Sequence, residues 1–295
     1  MHRNHTDMPL AATLFAIALF SVMDALMKRA AIAGGAYSAM LVRTVLAGTI
    51  MATIWRLRGG RLPPHAILRV HALRGAVSAV MAPTFFYGLA RTPMAQGMAL
   101  SFIAPLIALY LAAVLLGEKI RKAAIIAAIL GFVGVAAIAA ERIGGAEMQR
   151  EAARGIVAIL VSAVAYAWNL VLQRQQAQLA GPLEVVTFQN LFAALALLPF
   201  APWLWALPQG AEWGDIGMAA GLATCSLMLL SWAYARAEAQ VLVPIEYSAF
   251  IWAALMGWLW FDEILTPVTL FGVALIVAGC WIGTRGGKPM PPVEP

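Results

Sequence analysis

Residues 115–120 read LLGEKI, and residues 260–265 read WFDEIL. In both places a long apolar run stops on an acid, Glu118 or Glu263, and a second apolar run starts a few residues later. The numbers of the two acids differ by 145, and that offset recurs along the chain. It sets YGLAR (87–91) on WAYAR (232–236), matching Ala90 to Ala235 and Arg91 to Arg236. It sets SVMDALMKR (21–29) on YAWNLVLQR (166–174), so that Asp24 faces Asn169 and Arg29 faces Arg174, and it sets Gly134 on Gly279. Around the second apolar run of each half the offset becomes 146, placing Arg43 against Gln189. Chance likeness between oily segments would rarely keep one register at four separate places. The chain contains one unit twice.

Of the 295 residues, 62% are hydrophobic and 12% charged, and the mean hydropathy is +0.83. A soluble domain is nearer half apolar and a quarter charged, and a surface this poor in charge could not be wetted. The apolar residues fall into ten blocks: 10–26, 36–55, 73–90, 95–116, 123–140, 155–172, 183–205, 216–234, 241–261 and 267–283. Blocks of this length match the ~20 residues a helix needs to cross the hydrocarbon core. Lipid offers no partner to backbone amides, so each block is expected to be a helix. Five helices per half is an odd number, so the second half enters the membrane from the opposite face. The expected fold is an all-α polytopic membrane protein of ten transmembrane helices in two inverted five-helix repeats, the plan of secondary transporters with a midplane site. Its parts are residues 1–9 as a cytoplasmic N-terminus, 10–140 as the first repeat and 141–154 as a connecting loop. The second repeat is 155–283, and 284–295 form a cytoplasmic tail.

The net charge is +6. With the N-terminus inside, thirteen Lys and Arg fall on the cytoplasmic side, six on the other, and Arg43 within a span. This bias matches the positive-inside rule, puts both termini in the cytoplasm and makes the basic charge topological. No basic face with groove-reading or stacking elements points to nucleic acid. The first block, with Arg3 before it and Ala31-Ile32-Ala33 after it, imitates a secretory signal, but the repeat requires it as a helix. No GxxxxGK[ST] phosphate loop is present, so ATP is not expected to drive the protein. No His/Cys cluster has metal-ligand spacing, the four His fall in expected termini or loops, and no nucleophile elbow occurs, so neither a metal, a cofactor nor a catalytic residue is assigned.

Polar groups within the apolar blocks are the candidate working residues, because they are costly there. Asp24 and Lys28 are four apart on the first helix, one face of it. They are either a mutually neutralising pair near the membrane boundary or a polar floor matched by Asn169 and Gln173 in the second half. Glu246 has Ser101 as its counterpart, so symmetry does not require the acid. It either binds an ammonium group or carries a proton, or it pairs with Arg236. Glu118 and Glu263 read as structural acids that cap a following helix. Ser101, Ala108 and Ala112 share a face on the fourth helix, and Ala253 and Gly257 occupy matching places on the ninth; such spacing lets helix backbones approach closely. Pro83 and Pro105 remove a backbone hydrogen bond from the third and fourth helices and invite kinks that serve gating.

The stretch YGLARTPMAQGMALSFIAPLIALYLAAVLLGEKI (87–120) and its copy WAYARAEAQVLVPIEYSAFIWAALMGWLWFDEIL (232–265) resemble the EamA domain. Two such domains make the ten-helix members of the drug/metabolite transporter superfamily, and the resemblance covers nearly the whole chain. The copy departs from the pattern at Asp262, where a glycine is usual, and at Phe250, the counterpart of Pro105. Within the superfamily, length and tryptophan content are most similar to the bacterial aromatic amino-acid exporters. The resemblance implies that the first, third and fourth helices of each half surround a central cavity, and that small metabolites move by alternating access. It would place Trp168, Trp232 and Trp252 around that cavity, with Tyr87, Tyr110, Tyr166, Tyr234 and Tyr247. Such rings suit flat apolar or cationic ligands. Ser21, Asp24, Ser101, Asn169 and Glu246 complete the expected substrate site, while Trp55, Trp203, Trp205 and Trp213 are expected at the interface. The expected function is export of aromatic or apolar amino acids across the bacterial inner membrane, with Asp24 and Glu246 as the intramembrane groups able to carry a proton. Multidrug or cationic-toxin export is the alternative within the class; a lipid-modifying enzyme or scaffold is the alternative outside it.

Overall fold

The computed structural model describes residues 4–104, 106–107, 122–140, 146–236, 242 and 245–285. Among these are ten principal helices and no strand. In the first half they are α1 (Asn4–Gly34), α2 (Ala36–Leu57), α3 (His65–Leu89), α4 (Met94–Ser101) and α5 (Lys122–Ala140). The second half has α6 (Ala146–Leu179), α7 (Pro182–Leu197), α8 (Glu212–Tyr234), α9 (Ala249–Phe261) and α10 (Pro267–Arg285). A 3-10 turn at Leu198–Phe200 and a last helical turn at Ala201–Leu204 extend α7, where Pro199 and Pro202 interrupt the regular ladder. Pro105, Ala108, Tyr110, Ala112 and Glu118 lie outside the described residues. Helix α3 runs through Pro83.

Among the described residues, five stretches are long and apolar enough to cross a membrane: Met8–Gly34, Ala36–Leu57, Arg150–Gln173, Pro182–Leu204 and Glu212–Tyr234. Helix α3 is absent from that set because it carries Arg69, His71 and Arg74, and it begins at His65, eight residues before the apolar block that announces it.

Helix α1 packs most extensively on α8, and α6 on α3; exchanging the halves turns one pair into the other. The pairs α2–α7, α4–α9 and α5–α10 map onto themselves. This is the contact pattern of a pseudo-two-fold bundle. The ends confirm the inversion. The last turn of α1 meets the first turn of α8, where Arg29 pairs with Asp215 at 3.2 Å. The last residues of α3 meet the first turns of α6, where Arg91 pairs with Glu151 at 2.8 Å. One device recurs at matching places: Arg91 folds over the Tyr87 ring at 3.6 Å and donates to the Tyr87 carbonyl, and Arg236 folds over Trp232 at 4.5 Å and donates to its carbonyl.

Small residues set the closest crossings. A Cβ at Gly134 on α5 would lie 2.5 Å from the Gly272 carbonyl oxygen on α10, and one at Gly272 would lie 2.8 Å from the Gly134 oxygen. Both obstacles are backbone, which cannot swing aside. Gly134→Val is therefore expected to destabilise the bundle by about 1–3 kcal/mol, as overpacking does. A melting temperature of the detergent-solubilised protein equal to that of wild type would refute this close approach.

Asp262 ends α9 with φ 51° and ψ 32°, the left-handed conformation that glycine favours at a helix C-terminus. The departure from the glycine-acid pattern thus keeps the glycine geometry with a residue that tolerates it. The following amide, that of Glu263, closes the cap on the Gly257 carbonyl at 3.1 Å. Asp262→Gly is expected to raise stability slightly, by up to about 1 kcal/mol, and the melting temperature with it.

Candidate functional site

The polar interior is assembled from three neighbourhoods. The first ties the halves together at one end of the bundle. Lys28 Nζ, on α1, donates to Glu263 Oε1 at 2.5 Å and to the Thr92 carbonyl at 2.8 Å. Glu263 Oε2 accepts from the Met94 amide at 2.6 Å. The Lys28 side chain is 5% exposed and that of Glu263 17%. Two expectations change here. Lys28 pairs with Glu263 rather than with Asp24, and Glu263 satisfies the first amide of α4 rather than capping the helix that follows it. The i, i+4 spacing made Asp24 available, but the ion pair formed with the acid that the left-handed turn at Asp262 aims inward.

The second neighbourhood lies between α3 and α6 toward the other end. Arg74, 2% exposed, donates through Nε to Asn169 Oδ1 at 3.1 Å, through Nη2 to Gln173 Oε1 at 3.0 Å, and through Nη1 to Gln176 Oε1. Gln176 also bonds His71 Nδ1, whose other nitrogen lies 3.2 Å from Glu184 Oε1 at the start of α7. The His71 ring stacks on Phe188 with centroids 5.1 Å apart. His71 is therefore not a loop residue, as expected of the histidines, but lies within α3 with Arg74. The signal that could have found them is periodicity: His71, Arg74, Gly75, Ser78, Ala82 and Phe86 form the buried stripe of α3.

The third neighbourhood is central. Tyr166 on α6 lies within electrostatic reach of Asp24, Arg74 and Glu246, and Asp24 within reach of Arg43. Glu246 accepts a hydrogen bond from the Tyr234 hydroxyl, so its partner is Tyr234 and not Arg236. Asp24 and Arg43 are 7% and 9% exposed. Among the described residues neither Asp24 nor Glu246 makes an ion pair within 4.0 Å. Among the described residues, Arg43 has only the thioethers of Met23 and Met40 as hydrogen-bond partners, at 3.7 and 3.3 Å.

The other expected residues divide. Ser21 and Asn169 are buried, and the Ser21 hydroxyl has no protein partner. Ser101 is buried but turns its hydroxyl to the Gly97 carbonyl at 3.0 Å. Tyr247 packs edge-on to Phe102, and Trp252 is half-buried. Trp168 is half exposed and belongs to the outward stripe Val157, Val161, Val164 and Val171 of α6. Tyr87 lies on the outward stripe of α3 with Leu73 and Val80. Both face away from the central groups, and Tyr87 and Trp232 serve the arginine devices at opposite ends. Ala253 and Gly257 are buried on α9, and a Cβ at Gly257 would strike the Glu263 carboxylate.

Opposed halves, apolar outer stripes and buried ionisable groups define a multi-pass membrane protein built of two inverted repeats. The EamA-like transporter family profile matches residues 8–140 and again 153–284, and the chain belongs to that family. It is 25% identical over 273 residues to the pseudopaline exporter CntI of Pseudomonas aeruginosa, covering 91% of this chain and 93% of the relative. It is 26% identical over 206 residues to the aromatic amino acid exporter YddG of Ancylobacter novellus, covering 68% and 70%. The S-adenosylmethionine uptake transporter of Rickettsia bellii is 23% identical over 208 residues, covering 70% and 69%. A solved crystal structure superposes with a TM-score of 0.63 at 22% identity, covering 96% of this chain and all of the other; that likeness concerns the fold.

Proposed function

We propose that this protein exports aromatic or other apolar amino acids, or closely related small metabolites, by alternating access in the bacterial inner membrane, with both termini in the cytoplasm. One observation carries the reading: Asp24, Arg43 and Arg74 are buried and Glu246 is half-buried, and among the described residues neither carboxylate pairs directly with a cation. Charges held apart in lipid are expensive, and a zwitterionic cargo would complete them. Tyr166 and Tyr234 supply ring surface beside them, suited to an apolar side chain. The relatives named for aromatic amino acids and for S-adenosylmethionine support such a cargo, and the excess of Lys and Arg beside the termini supports the orientation.

Counterflow of labelled phenylalanine in proteoliposomes, with and without a pH gradient, tests the proposal. Saturable exchange is the expected result, and none with any aromatic amino acid would overturn it. Exchange of a quaternary amine instead would favour a cationic-toxin exporter, for which the carboxylates of Asp24 and Glu246 also speak. In the same assay Glu246→Gln should reduce phenylalanine exchange about tenfold or more, the loss of one charge-assisted contact. Full exchange by the variant would remove Glu246 from the site.

A further inference from the structure

Arg43 stands on α2 with 9% of its surface exposed, yet among the described residues its Nε has no partner and its terminal nitrogens reach only two thioethers. A thioether is a weak acceptor, while a guanidinium presents five N–H donors in a planar fork. Asp24, on the facing helix α1, lies beyond 4.0 Å but within electrostatic reach, and the buried Ser21 hydroxyl one turn away is also without a protein partner. Opposite charges held apart but facing one another match a head group whose ammonium and carboxylate are borne by a single carbon.

We infer that Arg43 and Asp24 together hold the head group of a zwitterionic amino carboxylate, Arg43 taking the carboxylate through its fork and Asp24 the ammonium. The repeat strengthens the assignment. The counterparts of Asp24 and Arg43 are Asn169 and Gln189, both neutral amides. Asn169 is occupied by Arg74, and the Gln189 amide group donates to Ser78 Oγ at 3.3 Å. The charged pair exists once, so the head group sits off the pseudo-axis, against the first half, and one cargo molecule is bound at a time. A planar carboxylate is also the partner for which an arginine fork is better suited than a lysine.

The inference deepens the proposed function and rests on it, so binding and flux are measured separately. The purified full chain is melted with phenylalanine, with phenylalanine methyl ester, which lacks the anionic carboxylate, and with 3-phenylpropionate, which lacks the ammonium. Phenylalanine should stabilise the wild type most. Arg43→Gln, the residue that the other half carries, should weaken phenylalanine about tenfold to a hundredfold and abolish its advantage over the ester. Arg43→Lys should keep part of that advantage. Asp24→Asn should abolish the advantage of phenylalanine over 3-phenylpropionate. A folded Arg43→Gln protein that still prefers the acid to the ester as wild type does, or a wild type that prefers neither, overturns the inference. Selective binding without counterflow would sink the transport reading and leave the head-group site standing; counterflow with unchanged selectivity in Arg43→Gln would sink the site alone.

Discussion

Lys28→Met lowers the stability of the bundle by about 3 kcal/mol or more, the expected result of removing one partner of a buried ion pair. The magnitude follows from what is left behind. Glu263 keeps the Met94 amide at 2.6 Å but loses the ammonium at 2.5 Å, inside a site with 17% exposure. The Thr92 carbonyl also loses its donor. Glu263→Met should cost a similar amount, because it takes the carboxylate away from the buried Lys28 ammonium and from the first amide of α4. The double variant Lys28→Met/Glu263→Met should be more stable than the sum of the single losses, since no charge remains orphaned. Additive losses would show that the pair carries no coupling. The same contact joins α1 of one half to the end of α9 and the start of α4, so breaking it should admit solvent at that end. A cysteine at the buried Thr92 should react faster with a membrane-impermeant thiol reagent in the Lys28→Met background.

Arg74→Met should be nearly as damaging, for a different reason. Removing a buried guanidinium relieves a desolvation cost of about 2.5–3.5 kcal/mol at membrane depth. It also strands three amide oxygens, those of Asn169, Gln173 and Gln176, each worth about 1–3 kcal/mol when left unpaired. The second effect is the larger even after some amides re-pair with one another. A net loss of about 2–4 kcal/mol is expected, read as a fall in melting temperature, with Arg74→Lys intermediate because one ammonium cannot span three acceptors. A variant as stable as wild type would mean that the amides find other partners in its absence.

The two predictions come from residues that the sequence presented in unequal ways. The repeat register, the ten apolar blocks and the opposed orientation were readable because period, block length and odd helix count are properties of the string itself. Lys28 was visible as an intramembrane charge, but its partner is 235 positions away, and only the i, i+4 neighbour Asp24 could be inferred locally. His71 falls just before the apolar block 73–90, because its polarity hides the stripe of α3 that it shares with Arg74. Arg43 stands out in the sequence as a charge within a span; that thioethers are its acceptors among the described residues is a fact of packing. Aromatic type carries no direction, so Tyr87 and Trp168 were grouped with Tyr166 although their helices turn them outward. Tyr234 meeting Glu246 is likewise a contact between α8 and the chain entering α9, beyond any periodicity argument.

Among the described residues, every helix packs most extensively on a helix from the other half: α1 on α8, α2 on α7, α3 on α6, α4 on α9, α5 on α10. During synthesis α1 must therefore wait in the bilayer, with Asp24 and Lys28 uncovered, until some two hundred further residues have left the ribosome. Among the described residues, packing within each repeat is much sparser than packing between the two. The two copies are twins by ancestry but a single cooperative object in assembly, and a polypeptide cut between them should regain activity only when both pieces are produced in the same cell.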